Sequence, residues 1–224
     1  MRTVRSIPFP VYSRAERLAD YAIHALGLAA AAIAVPALVF DHVGNGPAGI
    51  GVALYGFGLL AMLAASAVYN TLGIYRYRAF LKDIDQVAIF FMIGGTCSPL
   101  TLVAGGGWAI ELFAAVWLLV AIGIAIIVVR PDRFERIAIP YYLASGWLVS
   151  LAALDALDRW SASGATGLFV LGGIIYTGGI AFHRWHALPY QNALWHVCVL
   201  IASCCQYVAI AALVVSPIPV AATH

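Results

Sequence analysis

Apolar residues in this chain gather in seven long stretches separated by short polar gaps. The stretches are Ala22–Phe40, Ala48–Leu72, Asp85–Ala104, Trp108–Val129, Ile137–Leu157, Ala165–Phe182 and Asn192–Val215. A helix rises 1.5 Å per residue, so about 20 apolar residues cross a hydrocarbon layer roughly 30 Å thick. Each stretch is close to that length. The pattern predicts an all-α polytopic membrane protein, a seven-transmembrane-helix bundle. The connections are short, so residues 1–224 read as a single membrane domain.

Composition agrees. The chain is 63% hydrophobic and 10% charged, with a mean hydropathy of +0.94. Soluble domains average about 45–50% apolar and about 25% charged residues. Abundant Gly and Ala suit closely packed membrane helices.

Charge adds an orientation. Eleven of the twelve basic residues fall in alternate gaps: Arg2, Arg5, Arg14 and Arg17; Arg76, Arg78 and Lys82; Arg130, Arg133 and Arg136; and Arg184. Only Arg159 lies in the other set. Basic loops stay cytoplasmic, so the N-terminus is expected inside and the C-terminus outside. The net charge of +2 is spread over four short segments and implies no nucleic-acid partner. Ala22–Phe40 exceeds the roughly 7–15-residue core of a cleaved signal peptide, so it reads as a retained span. Cys97, Cys198, Cys204 and Cys205 all lie within stretches and read as small buried residues, without a legible pairing.

Polar residues inside apolar helices are expensive and should face the bundle interior. Residues four apart share a helix face. Glu16, Asp20 and His24 form such a series at the start of the first helix. Ser66 and Asn70 form a pair at the end of the second, and Asn192 and His196 a pair at the start of the seventh. Asp85 and Gln86 open the third, where Asp85 also reads as an N-cap. Odd helices run outward and even ones inward, so all these groups are expected at similar depth in the cytoplasmic leaflet. Glu16 and Asp20 also have a plainer reading, as interfacial partners of Arg14 and Arg17.

The stretches ERLADYAIHALG (16–27), SAVYN (66–70), LKDIDQVAIFFMIGGTCSP (81–99) and PYQNALWH (189–196) resemble the haemolysin III branch of the progestin and adipoQ receptor family. That resemblance implies a seven-helix bundle with zinc near its cytoplasmic face. Three histidines hold the metal: one closing Ser-x-x-x-His on helix two, and two forming His-x-x-x-His on helix seven. An Asp and the Ser surround a zinc-bound water. The resemblance also implies membrane homeostasis in bacteria, and a proposed lipid-amide hydrolysis in receptor members.

The chain departs from this pattern at the metal. Asn70 and Asn192 replace two of the three histidines, leaving His196. Gln86 follows Asp85, Gln206 stands where a histidine is frequent, and Asp20 where Asn is usual. An Asn oxygen is a poor zinc donor, and catalytic zinc usually has three protein ligands. No metal is therefore expected, with Asp85 and His196 as residual candidates and zinc as the alternative. Asp85 and His24 could assemble a different metal site with His196, which requires His24 to reach across the bundle. The amides and carboxylate could instead saturate one another, at about 0.6 kcal/mol per interhelical bond. The leading expectation is a non-catalytic protein of the bacterial inner membrane that binds lipid or senses membrane state. A zinc-dependent lipid-amide hydrolase using Ser66 and Asp85 is the enzyme alternative, and a transporter or channel the third. Membrane lipids are the expected partners.

Overall fold

A computed structural model describes residues 12–42, 44–72, 75–160 and 164–215; for residue 75 and residues 151–160 the backbone alone is described. Arg2 and Arg5 of the basic pattern lie outside the described residues, as does the Arg159 side chain. The helices are α1 (Arg14–Phe40), α2 (Gly46–Thr71), α3 (Arg78–Ala104), α4 (Gly107–Val129), α5 (Pro131–Trp160), α6 (Ala165–Arg184) and α7 (Gln191–Val215), with a short 3₁₀ turn at Tyr75–Tyr77. Among the described residues, six of them (α1–α4, α6 and α7) are long and apolar enough to cross a membrane.

The outward surface carries the apolar residues. On α1, Leu18, Leu26, Ile33 and Phe40 are 64–76% exposed and recur every seven or eight residues, which makes one stripe. Asp20, His24, Gly27, Ala31, Val35 and Leu38 are buried on the opposite face. From Leu18 onward α1 hides its charges and presents leucine, isoleucine and phenylalanine outward, an arrangement built for lipid rather than water.

Small residues set the helix spacing. The α2–α3 pair is the most extensive in the bundle. Gly51 lies against the backbone of Pro99, Gly58 against that of Phe91, and Gly95 against that of Leu54. No side chain separates the two helices at those points. Around them, α3 also packs on α4, α5 and α7, while α1 packs between α2 and α7. Phe90, Phe134, Tyr141 and Tyr142 join α3 to α5, with ring centroids 4.9–6.1 Å apart.

Contacts between the two ends of the chain close the bundle. Tyr207 Oη donates to the Ala34 carbonyl at 2.8 Å. At one end His42 bonds the carbonyls of Leu38 (2.8 Å) and Val214 (3.3 Å). At the other end the Tyr190 N–H donates to Glu16 Oε1 at 2.9 Å, and Gln191 Nε2 to Tyr12 Oη at 2.9 Å. Tyr190 is held at φ 59, a left-handed conformation uncommon for a residue with a side chain.

Candidate functional site

The site lies at the bundle end where α1, α3 and α7 begin and α2 finishes. Helix α1 starts early because Ser13 and Glu16 form a capping box. The Glu16 N–H donates to Ser13 Oγ (3.2 Å), and the Ser13 N–H donates to Glu16 Oε2 (2.7 Å). This carries the helix through Asp20 and His24, one turn apart and each only 6% exposed. Glu16 does not join them. It stays near the surface, where its carboxylate serves the cap and the Tyr190 N–H.

A closed circuit of hydrogen bonds links α1, α2 and α7. His196 Nδ1 lies 2.5 Å from Asp20 Oδ1. Asn192 Nδ2 donates to Asp20 Oδ2 (3.0 Å) and to Asn70 Oδ1 (3.3 Å). Asn70 Nδ2 donates to the Ser66 carbonyl (2.9 Å) and Oγ (3.3 Å). Ser66 Oγ returns to His196 Nε2 at 3.5 Å. With Nδ1–H pointed at the carboxylate, Nε2 is left as the acceptor for the hydroxyl. Asp85 lies beside Ser66 and faces His196.

Five expectations need correcting. Asp85 is not an N-cap: α3 begins at Arg78, so Asp85 sits two turns inside it, because the 3₁₀ turn and not the polarity change starts the helix. His24 need not cross the bundle, since α1 packs directly on α7 and the two imidazole centroids are 4.4 Å apart. The carboxylate that joins His24 and His196 is Asp20, not Asp85. Gln206 is buried but lies ten residues along α7 from His196, about 15 Å by helical rise. Gln86 also stays out of the circuit. Its backbone carbonyl accepts from Tyr142 Oη (2.8 Å), while its buried Oε1 finds no hydrogen-bond partner among the described residues.

Other residues shape the site without a clear sequence signal. Arg78 is buried, donates to Tyr69 Oη at 3.2 Å and lies 4.7 Å over that ring. Its basic character places it in a polar loop, yet Arg78, Lys82 and Asp85 are spaced i, i+4, i+7, which is one face of α3. Lys82 Nζ meets Glu135 Oε1 of α5 at 2.6 Å. Tyr12 precedes α1, and burial raises its phenol above the ordinary range, which keeps it neutral.

The site opens into a cavity of about 560 Å³. His24, Ser66, Asn70, Asp85, Asn192 and His196 line its polar end. Met92, Ile93, Val149, Phe169 and Ile180 contribute most of the apolar wall from α3, α5 and α6, with Thr96, Ser150, Thr177 and Gln206 among them. A second cavity of about 490 Å³, lined by Glu16, Asp20, Tyr190 and others, shares Tyr12, Asn70, Arg78 and Asn192 with the first. Those four residues border both cavities.

A zinc site of three imidazoles does not fit these residues. Positions 70 and 192 carry amides whose contacts close the polar circuit. The donor group that the structure does bring together is Asp20, His24 and His196, whose ligand atoms lie within 4.8 Å of one another. Two imidazoles and a carboxylate are a suitable donor set for zinc.

Long apolar helices, outward apolar stripes and a polar site buried at one end define a polytopic helical membrane protein. A model of the family described as Haemolysin-III related matches residues 14–207, and the chain belongs to that family. It is 29% identical over 198 residues to the Hemolysin-3 homolog of Bacillus subtilis, covering 86% of this chain and 91% of that protein. It is 28% identical over 193 residues to Hemolysin-3 of Bacillus cereus, covering 83% and 85%. A more distant similarity, 26% over 168 residues, covers 70% of this chain and 67% of the human monocyte to macrophage differentiation factor.

Proposed function

We propose that this chain is a seven-span protein of the bacterial cytoplasmic membrane, with its N-terminus in the cytoplasm, that binds a lipid. The carrying observation is the cavity, which joins carboxylate, amide and imidazole groups to a mainly aliphatic and aromatic wall interrupted by Thr96, Ser150, Thr177 and Gln206. Its volume is within the roughly 300–1,000 Å³ of small-molecule sites. Such an arrangement suits a single-chain amphiphile, with the head group at Ser66, Asn192 and His196 and the chain toward Phe169. Binding of this kind would let the protein read lipid state without chemistry. A continuous polar path is not favoured, because Ser98 and Thr101 return their hydroxyls to carbonyls of their own helix.

The test is lipid analysis of protein purified in mild detergent, comparing the parent with Gly146→Leu. Gly146 lines the cavity, and a side chain added there meets nothing within 4 Å of its first carbon. Leucine should therefore enter the cavity from an unobstructed first carbon. It displaces about four ligand carbons, worth about 3 kcal/mol at roughly 0.8 kcal/mol per methylene. Stoichiometric lipid in the parent, lost in the variant, supports the reading. Equal lipid in both, or none in the parent, ends it.

A second reading, hydrolysis of a lipid amide, draws on Ser66 and Asp85 standing beside the Asp20–His24–His196 donors. The metal would supply an activated water, and Asp85 would hold its proton. Release of fatty acid from an N-acyl amphiphile, abolished in Asp85→Asn, is the corresponding measurement.

A further inference from the structure

We infer that Asp20, His24 and His196 form a zinc-class divalent cation site that differs in composition from a three-histidine site, with two of its three ligands supplied by the first helix. This inference does not depend on the lipid reading. It starts from a buried atom without a partner. His24 is 6% exposed, and its Nε2 makes no hydrogen bond among the described residues. It points toward Asp20 Oδ2, 3.7 Å away, which is beyond hydrogen-bond reach. A buried imidazole nitrogen left in that state costs about 1–3 kcal/mol. A cation between it and the carboxylate would satisfy both.

The remaining donors are in place. His196 stacks obliquely on His24 at 4.4 Å and touches the other Asp20 oxygen. All three ligand atoms lie within 4.8 Å of one another. Zinc bonds of about 2.0–2.1 Å require the farther donors to draw in and the 2.5 Å contact of His196 with Asp20 to open. The cation would replace the proton now shared by His196 and Asp20. Asn192 would remain hydrogen-bonded to Asp20 as an outer partner, the arrangement that orients metal-bound carboxylates elsewhere. Ser66 and Asp85 line the cavity face of the group. Asn70 and Asn192, which look like lost ligands, thus hold the replacement carboxylate in position.

The experiment loads detergent-purified protein with one equivalent of zinc, removes free metal, and measures zinc per chain. In parallel, cobalt(II) substitution reports the ligand field by visible absorption. The parent should retain one zinc per chain and show tetrahedral cobalt bands. His24→Gln and Asp20→Asn should each abolish retention. Asn192→Ala should weaken binding only about 10–100-fold, the usual cost of losing an outer partner. Helical circular dichroism and monodisperse elution confirm folding; if Asp20→Asn fails to fold, His24→Gln decides. Three results overturn the inference: no zinc retained by the parent; zinc retained by His24→Gln but lost from Asp85→Asn; or retention indifferent to every substitution, which marks adventitious binding at His42, His183 or His186.

Discussion

At the level of single residues, Asp20 holds the site together. One carboxylate meets His196, Asn192 and the edge of His24. Its removal strands the buried donors of Asn192 and His196 on α7, and each stranded donor costs about 1–3 kcal/mol. Asp20→Ala in metal-free protein should therefore lower stability by at least that amount in a denaturant titration in detergent. His196→Ala added to it should cost much less than it does alone, because the shared bond is already gone. Equal and additive losses would show that the two residues do not act as a pair. The four-residue spacings already place Asp20 with His24, Ser66 with Asn70, and Asn192 with His196. Spacing along one helix says nothing about which helices touch, so the pairing of Asp20 with His196 was not legible. The two histidines missing from helices two and seven also draw attention away from the carboxylate on helix one.

Among the helices, the apolar stretches locate every element, but they misplace the starts of α1, α3 and α5. In each case the helix begins six to eight residues before the apolar run. Polar turns remain helical when a cap or a proline at the first position supports them. Ser13 does so for α1 and Pro131 heads α5. Close packing was legible only as an abundance of glycine. Which glycines matter depends on the facing backbone. A methyl group at Gly95 would lie 2.7 Å from the Leu54 carbonyl oxygen, whereas one at Gly178 meets nothing within 4 Å. Gly95→Ala should destabilise the bundle by about 1–3 kcal/mol, the usual penalty for overpacking. Gly178→Ala should be neutral or stabilising by up to about 1 kcal/mol. Thermal unfolding of the two variants in the same detergent distinguishes them, and equal effects would discard the backbone-contact argument.

For the molecule as a whole, the basic-residue asymmetry predicts that a cysteine placed near Arg133 is protected from a membrane-impermeant thiol reagent added outside the cell, while one near Gly164 reacts. The reverse pattern would invert the proposed topology. The fold also carries a constraint of time. Asp20 and His24 belong to α1, and their partner His196 to α7, made 176 residues after Asp20. During that interval a carboxylate and an imidazole must wait in or near the bilayer without the bonds that later bury them. The circuit would thus mark completion: a chain released before α7 would leave Asp20 without its His196 and Asn192 partners, an unshielded acidic residue open to quality control. Chains truncated before Gln191 should turn over faster than the full chain, and Asp20→Leu should slow their loss. Such truncates persisting as long as the full chain would remove the signal from consideration.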